Sequence, residues 1–130
     1  MLMRQSKMEK KYSPSVKIRY PKSEKKLIKL LEDNINILVN KVPTIQKIIL
    51  FGSYSRKEVH YGSDVDLLII VKKRISNDFE VIYGALFDIS LDYEWSPLLI
   101  TEKDFRERIK EGFPFIKAII NDGIIMWSKS

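Results

Sequence analysis

FGSYSRKEVHYGSDVDLLIIV, residues 51–71, is the stretch on which the reading of this chain turns. Its last eight residues, DVDLLIIV, form the strongest strand in the sequence. After its first residues this strand is apolar at every position, so it buries both faces and belongs inside a sheet. Residues two apart in a strand share a face. Asp64 and Asp66 therefore point the same way, and Leu68 and Ile70 follow them on that side. The two carboxylates stand at the margin of a core, at the N-terminal end of the strand. Like charges held together there are unfavourable unless a cation lies between them or one is protonated. A divalent ion resolves the conflict, and hard oxygen donors point to magnesium rather than zinc. Taken alone, Asp-x-Asp more often marks solvated aspartates in a surface turn.

Ten residues earlier a Gly-Ser turn leaves another apolar strand, residues 45–51. Glycine lets a phosphate approach the backbone closely. Ser53 falls where one or two helical turns, residues 54–59, are expected, and a hydroxyl beside free amides suits an anion. Arg56 and Lys57 lie one turn further on, within reach of a triphosphate, although Arg56 reads equally as a solvated helix face and Lys57 more readily so. Tyr54 and Tyr61 are near enough to stack on a base, but packing is the simpler role for them, as for Trp95 and Trp127. His60, the chain's single histidine, reads as a loop residue.

Outward from this stretch the chain supplies a compact frame. Its 130 residues fit one domain, and 45% hydrophobic content supports a real core. The absence of cysteine excludes disulfides, thiolate metal sites and a cysteine nucleophile. No apolar run approaches a membrane span and no signal-peptide h-region is evident, so a cytoplasmic protein is expected. A formal net charge of +6 suits an anionic partner, whether nucleotide, nucleic acid or acidic protein, and also suits simple solubility.

Residues 1–21 read as a basic, flexible lead-in and residues 22–130 as the domain. A helix over 22–40 carries Leu27, Ile28, Leu31, Ile35 and Leu38 on one face and a lysine stripe (Lys22, Lys25, Lys26, Lys29) on another. A helix over 77–87 is expected to bury Phe79, Ile82, Tyr83 and Leu86, with Asn77 and Glu80 forming a capping box. Residues 91–100 read as a strand in which Pro97 marks an edge or bulge. Thr101 with Asp104 opens a helix closed by Gly112, Pro114 opens another ended by Gly123, and residues 124–127 add a short strand. The order implies an α/β (α+β) fold, a small mixed β-sheet flanked by helices.

The combination of Gly52-Ser53, ten residues, and Asp64-Val65-Asp66 in an apolar strand resembles the signature of the polymerase-β-type nucleotidyltransferase superfamily, and the short length resembles its minimal nucleotidyltransferases. The resemblance spans roughly residues 22–127. It implies a polymerase-β-like palm fold and transfer of a nucleoside monophosphate. Asp64 and Asp66 would hold two magnesium ions, while Gly52, Ser53 and Arg56 would hold the triphosphate of ATP. A third carboxylate is expected from a neighbouring strand. Glu94, just before Trp95-Ser96-Pro97, is favoured over Asp92. The family's Ala-Arg-Gly after the turn is Ser55-Arg56-Lys57 here, so a glycine is lost, and its C-terminal Glu-Gly is Asp122-Gly123. Minimal members are typically antitoxins paired with a helical HEPN ribonuclease toxin encoded nearby. The resemblance therefore implies adenylylation of a hydroxyl on that partner. Two alternatives stay open: an enzyme acting on RNA or a small molecule such as an aminoglycoside, and a non-catalytic antitoxin that occludes its partner. Nucleic acid is the less favoured partner, because the helical domain that usually supplies such an acceptor site is missing.

Overall fold

The structure, a computed structural model, describes residues 24–56, 58–59 and 63–130. The basic lead-in, Lys22, Lys57, His60 and Tyr61 lie outside the described residues. The described chain runs α1 (Glu24–Lys41), β1 (Ile45–Phe51), a 3-10 turn (Gly52–Tyr54), β2 (Asp64–Val71), α2 (Asp78–Ile89), β3 (Glu94–Thr101), α3 (Glu102–Glu111), α4 (Pro114–Asp122) and β4 (Ile124–Ser128). The sheet order is β3-β2-β1-β4. β1 is antiparallel to β2 and β4, whereas β2 and β3 are parallel. Parallel neighbours need a crossover, which α2 provides. The expected small mixed sheet flanked by helices is the architecture found.

β2 is an inner strand because both of its faces are apolar. Val65, Leu67, Ile69 and Val71 pack toward α1 and α2, where Leu27, Leu31, Leu38, Ile82 and Leu86 complete the larger core layer. Leu68 and Ile70 face the other way, with Ile49 of β1 and with Ile116 and Ile119 of α4. Each fully buried leucine or isoleucine contributes about 1.5–3 kcal/mol, so these two layers account for where the helices sit. Asp64 and Asp66 share the side of the smaller layer. Pro97, which has no N–H to give to a ladder, sits on β3 at the sheet edge.

Local signals explain most of the boundaries. α1 buries Leu27, Leu31, Ile35 and Leu38 at helical spacing and ends at Lys41, two residues before Pro43. The Thr101 hydroxyl accepts the Asp104 N–H at 3.2 Å and opens α3. Pro114 occupies the first turn of α4, where a missing N–H costs nothing.

Three expectations need correction. The strand expected over 91–100 starts only at Glu94, and Leu91 to Tyr93 form a bend. The Trp95 indole N–H donates to the Ser90 carbonyl at 2.9 Å, and the Tyr93 and Trp95 rings lie 5.5 Å apart, so buried aromatics fold this approach back on itself. The Asn77–Glu80 capping box does not form. Asn77 is left-handed (φ 64) with no side-chain cap bond. Asp78 organises the corner instead, accepting from Arg74 Nε (2.9 Å), Arg74 Nη2 (2.8 Å) and the Ile75 N–H (3.0 Å). With Asp78 turned inward, α2 buries Ile82 and Leu86 as expected, and Ala85 rather than Phe79 or Tyr83 beside them. Phe79 and Tyr83 are exposed and stack on each other at 5.7 Å, and Tyr83 meets Phe87 at 4.8 Å. Among the described residues no helix is long and apolar enough to cross a membrane.

Asp78 is 2% exposed, and its bonds from Arg74 hold its carboxyl at about 2, below the ordinary 3.8. A depressed carboxyl contributes stability that is complete above its unfolded value and is lost as pH falls through the folded one. Asp78→Ala is expected to lower unfolding stability at neutral pH by about 1–3 kcal/mol, because the Ile75 N–H and Arg74 lose their acceptor. Urea titrations should show this difference shrinking between about pH 4 and pH 2. A difference that does not depend on pH would exclude the ion pair as its source.

Candidate active site

The site is built where β2 emerges from the core. In the parallel ladder Asp64 lies opposite Glu94 and Asp66 opposite Ser96, and on the other side Phe51 lies opposite Asp66. Alternation along β3 therefore puts Glu94 and Ser96 on the same face as the aspartates. Asp64 and Glu94 are exposed and Asp66 is half-buried. Burial and then the Asp64 charge push the Asp66 carboxyl up, against the opposing pull of Arg56 and a hydrogen bond from Ser96. The pair is thus an anionic site short of positive charge.

Gly52 explains how Asp66 fits. Its φ is +76, a left-handed conformation that side chains rarely adopt, and a Cβ added there would overlap the Asp66 carboxylate. The glycine makes room for the acid as well as turning the chain. The turn closes tightly: the Ser55 N–H, the Arg56 N–H and the Ser55 hydroxyl all donate to the Gly52 carbonyl, at 3.1, 3.2 and 2.9 Å. This 3-10 turn replaces the one or two helical turns expected over 54–59, so Ser53 stands inside a three-residue turn rather than at a helix start. Arg56 donates from Nε to Glu58 at 2.9 Å. Both side chains are largely exposed, so the pair is weak. Tyr54 is buried edge-on against Tyr93, with centroids 6.2 Å apart, and is packing rather than a platform for a base.

A cleft of about 440 Å³ opens beside these residues. Gly52, Arg56, Asp66 and Ser96 form its polar side, and Phe51, Pro97, Leu98, Phe115, Ala118 and Ile119 its apolar side, with Asp122 also lining it. Phe115 stands edge-on to Phe51 at 5.6 Å. α4 reaches the cleft because Gly123 lets it press on β1: a Cβ at Gly123 would meet the Ile119 carbonyl and lie 2.6 Å from Ile49 Cγ2. Sequence reasoning identified Gly52, Ser53, Arg56, Asp64, Asp66 and Glu94, but not Ser96, Phe51 or Phe115. Ser96 could have been found by stepping two residues along the strand from Glu94. Phe115 is exposed on its own helix and has no local signal. Asp92, the other candidate carboxylate, precedes the strand and lines a different hollow with Lys26, Lys29 and Tyr93.

The donor set fits a hard divalent cation. It consists of carboxylate oxygens, and Asp66 is already disfavoured as an anion by burial and by its neighbour. As placed, no three acidic or histidine side chains among the described residues converge on one point. Glu94 and Asp64, opposite each other and exposed, have rotamer freedom to do so.

Comparison with known proteins adds the following. The family model for a nucleotidyltransferase domain matches residues 31–126. Protein adenylyltransferase MntA of Shewanella oneidensis is 42% identical over 55 residues, which are 42% of this chain and 34% of that protein. The match thus spans about a third of that relative's length. A Methanocaldococcus jannaschii protein, provisionally named a protein adenylyltransferase, is 28% identical over 100 residues, 76% of this chain and 96% of that protein. Among solved structures, one provisionally named a nucleotidyltransferase, from Sulfolobus solfataricus, aligns with a TM-score of 0.54 at 16% identity, over 82% of this chain and 84% of that one, and shows a shared fold. A toxin–antitoxin structure with AMP-PNP aligns with a TM-score of 0.50 at 26% identity, over 82% of this chain and 74% of the other.

A carboxyl whose folded pKa is raised binds its proton more tightly in the folded state, so its ionisation costs stability as pH rises above the ordinary carboxylate range. Asp66→Asn removes that cost and still accepts from Ser96. In chelator at neutral pH the variant is expected to melt above the wild type. A lower melting temperature would make the carboxylate a structural partner instead. Gly52→Ala should move the other way, since the left-handed backbone alone costs about 1–2 kcal/mol.

Proposed function

Because this chain belongs to the nucleotidyltransferase domain family, we propose that it is a magnesium-dependent protein adenylyltransferase moving AMP from ATP onto a hydroxyl of a partner protein. The observation that carries the reading is the half-buried Asp66 beside Asp64, facing a cleft whose turn is opened by Gly52. The names of the Shewanella and Methanocaldococcus relatives support protein as the acceptor. The toxin–antitoxin structure with AMP-PNP supports a toxin as the partner. By family resemblance that partner is a helical HEPN ribonuclease encoded nearby, which adenylylation would silence in the cytoplasm. Residues 22–130 would form the catalytic domain, preceded by the basic segment 1–21.

Asp64, Asp66 and Glu94 would hold the metal, with Glu94 rather than Asp92 as third acid because it lies opposite Asp64 in the ladder. Magnesium, when bound, would lower the pKa of the acceptor hydroxyl and screen the charge of the triphosphate. The Gly52 and Ser53 turn would cradle the β- and γ-phosphates, and Arg56 would add a cation on the same side of the cleft. The apolar side would take the base and exclude water. The acceptor hydroxyl would give its proton to a carboxylate of the site, its oxygen attacks the α-phosphorus, the bond to the β-phosphate breaks, and pyrophosphate leaves. Positioning and charge stabilisation supply the rate, since no covalent intermediate with the protein is needed.

The test uses ATP labelled at the α-phosphate with magnesium, and lysate containing the neighbouring protein. Wild type should transfer label to a protein band, and Asp64→Asn/Asp66→Asn should reduce transfer at least about a hundredfold while remaining folded. RNase-sensitive label would move the acceptor to RNA. Absence of label with all four nucleotides would leave occlusion of the partner as the better account.

A further inference from the structure

Asp122 lines the cleft, yet nothing in the fold uses its side chain. It is exposed, and among the described residues no cation or hydrogen-bond donor pairs with its carboxylate. Arg56, the cation of the same cleft, is held by Glu58. Local structure does not favour an acid here either. Asp122 is the last residue of α4, and the negative end of a helix dipole disfavours a carboxylate in that turn. Ala118, four residues earlier and so on the same side of α4, also lines the cleft. A free acceptor thus stands in the cleft wall against the preference of its own helix.

Strand register fixes which part of a nucleotide it can meet. Ile124 pairs with Leu50, so Asp122 and Gly123 stand beside Phe51 and Gly52. Phe51 in turn lies opposite Asp66. Two strand spacings of about 4.8 Å put Gly123 roughly 10 Å from Asp66, with Phe51 between them. Asp122 therefore belongs to the β1–β4 side of the cleft, away from the metal-holding acids of β2 and β3. A carboxylate only accepts hydrogen bonds, and it repels a phosphate. The donors that ATP can offer it are the 2′-hydroxyl, the 3′-hydroxyl and the exocyclic amine of adenine. The ribose follows the α-phosphate, which belongs at Asp66, whereas the amine lies at the far edge of the base. The base fits the apolar wall of Phe115, Ala118 and Ile119. A carboxylate one strand beyond Phe51 is placed for the sugar.

We propose that Asp122 holds the ribose of the donor nucleotide, accepting from its 2′- and 3′-hydroxyls, and so makes the chain select ribonucleoside over deoxyribonucleoside triphosphates. The inference rests on the reading of this cleft as the nucleotide site of an adenylyltransferase and adds how the donor is chosen. With the sugar held on one side and the phosphates at the Gly52 turn, the α-phosphorus is fixed between two anchors.

The test is calorimetric binding to the full chain with magnesium and without any acceptor protein, so it does not depend on turnover. The probes are ATP, 2′-deoxy-ATP, 3′-deoxy-ATP and ITP, which lacks the exocyclic amine. Wild type should bind ATP roughly tenfold or more tightly than either deoxy form, the worth of a hydrogen bond to a charged group. Asp122→Ala should bring ATP and the deoxy forms to within about twofold of one another, whereas Asp122→Glu should keep the preference. Loss of a negative charge can tighten all triphosphates together, so the ratio among them is the measure. The proposal is overturned if wild type binds ATP and both deoxy forms equally or if Asp122→Ala leaves their ratio intact. It is also overturned if the variant loses a preference for ATP over ITP while keeping that for ribose, which would place the carboxylate at the base. Failure of wild type to bind any of the triphosphates would overturn the adenylyltransferase reading as well, whereas binding without discrimination between sugars overturns only the role of Asp122.

Discussion

Asp66 occupies a position that the rest of the site is arranged around. It is half-buried at the mouth of a strand that is otherwise core, beside a second aspartate, and Arg56 and the Ser96 hydrogen bond only partly offset its burial and that charge. Its carboxylate fills the space that a Cβ of residue 52 would take, so the acid and the glycine turn are one structural unit. The spacing between them in the sequence is the length of chain needed to leave β1, turn, and re-enter the sheet as β2 with Phe51 opposite Asp66. A substitution at either residue therefore disturbs the other.

The same constraint separates the two sides of the sheet. One side is sealed by α1 and α2, and its apolar layer supplies most of the burial. The other is only partly covered, because α4 crosses β1 and touches Leu68 and Ile70 but stops short of Asp64 and Asp66. That shortfall is the cleft. Its position depends on Gly123, whose missing side chain lets α4 approach Ile49. Turn and helix thus reach the same cavity from opposite ends of the chain, each through a glycine that removes a clash.

Much of this was legible in advance because it rests on local patterns. The alternation of Asp64 to Val71, the helical stripe of α1, the Thr101 cap and Pro97 at an edge are each written in a few adjacent residues. The failures share a different cause. α2 keeps its helical period and buries Ile82 and Leu86 as expected, but Asp78 and Ala85 take the inner places expected of Phe79 and Tyr83, because Asp78 is drawn in by Arg74 and the Ile75 N–H, a preference that side-chain hydrophobicity does not encode. The start of β3 shifted because the Trp95 indole bonds back to Ser90, which moves Asp92 out of the strand. The turn after Gly52 is shorter than expected because one carbonyl takes three donors.

The sequence by itself determined the sheet's inner strand, the pairing of two acids on one face of it, the glycine turn at a set distance, and hence the family. These depend on period and spacing, which are properties of a few neighbouring residues. Tertiary structure alone decided that Glu94 rather than Asp92 lies across from Asp64, that Ser96 reaches Asp66, and that Phe115 from a distant helix closes the cleft. Such placements depend on strand register and on how closely helices approach the sheet. Those follow from the packing of the whole core, which no short stretch of chain specifies.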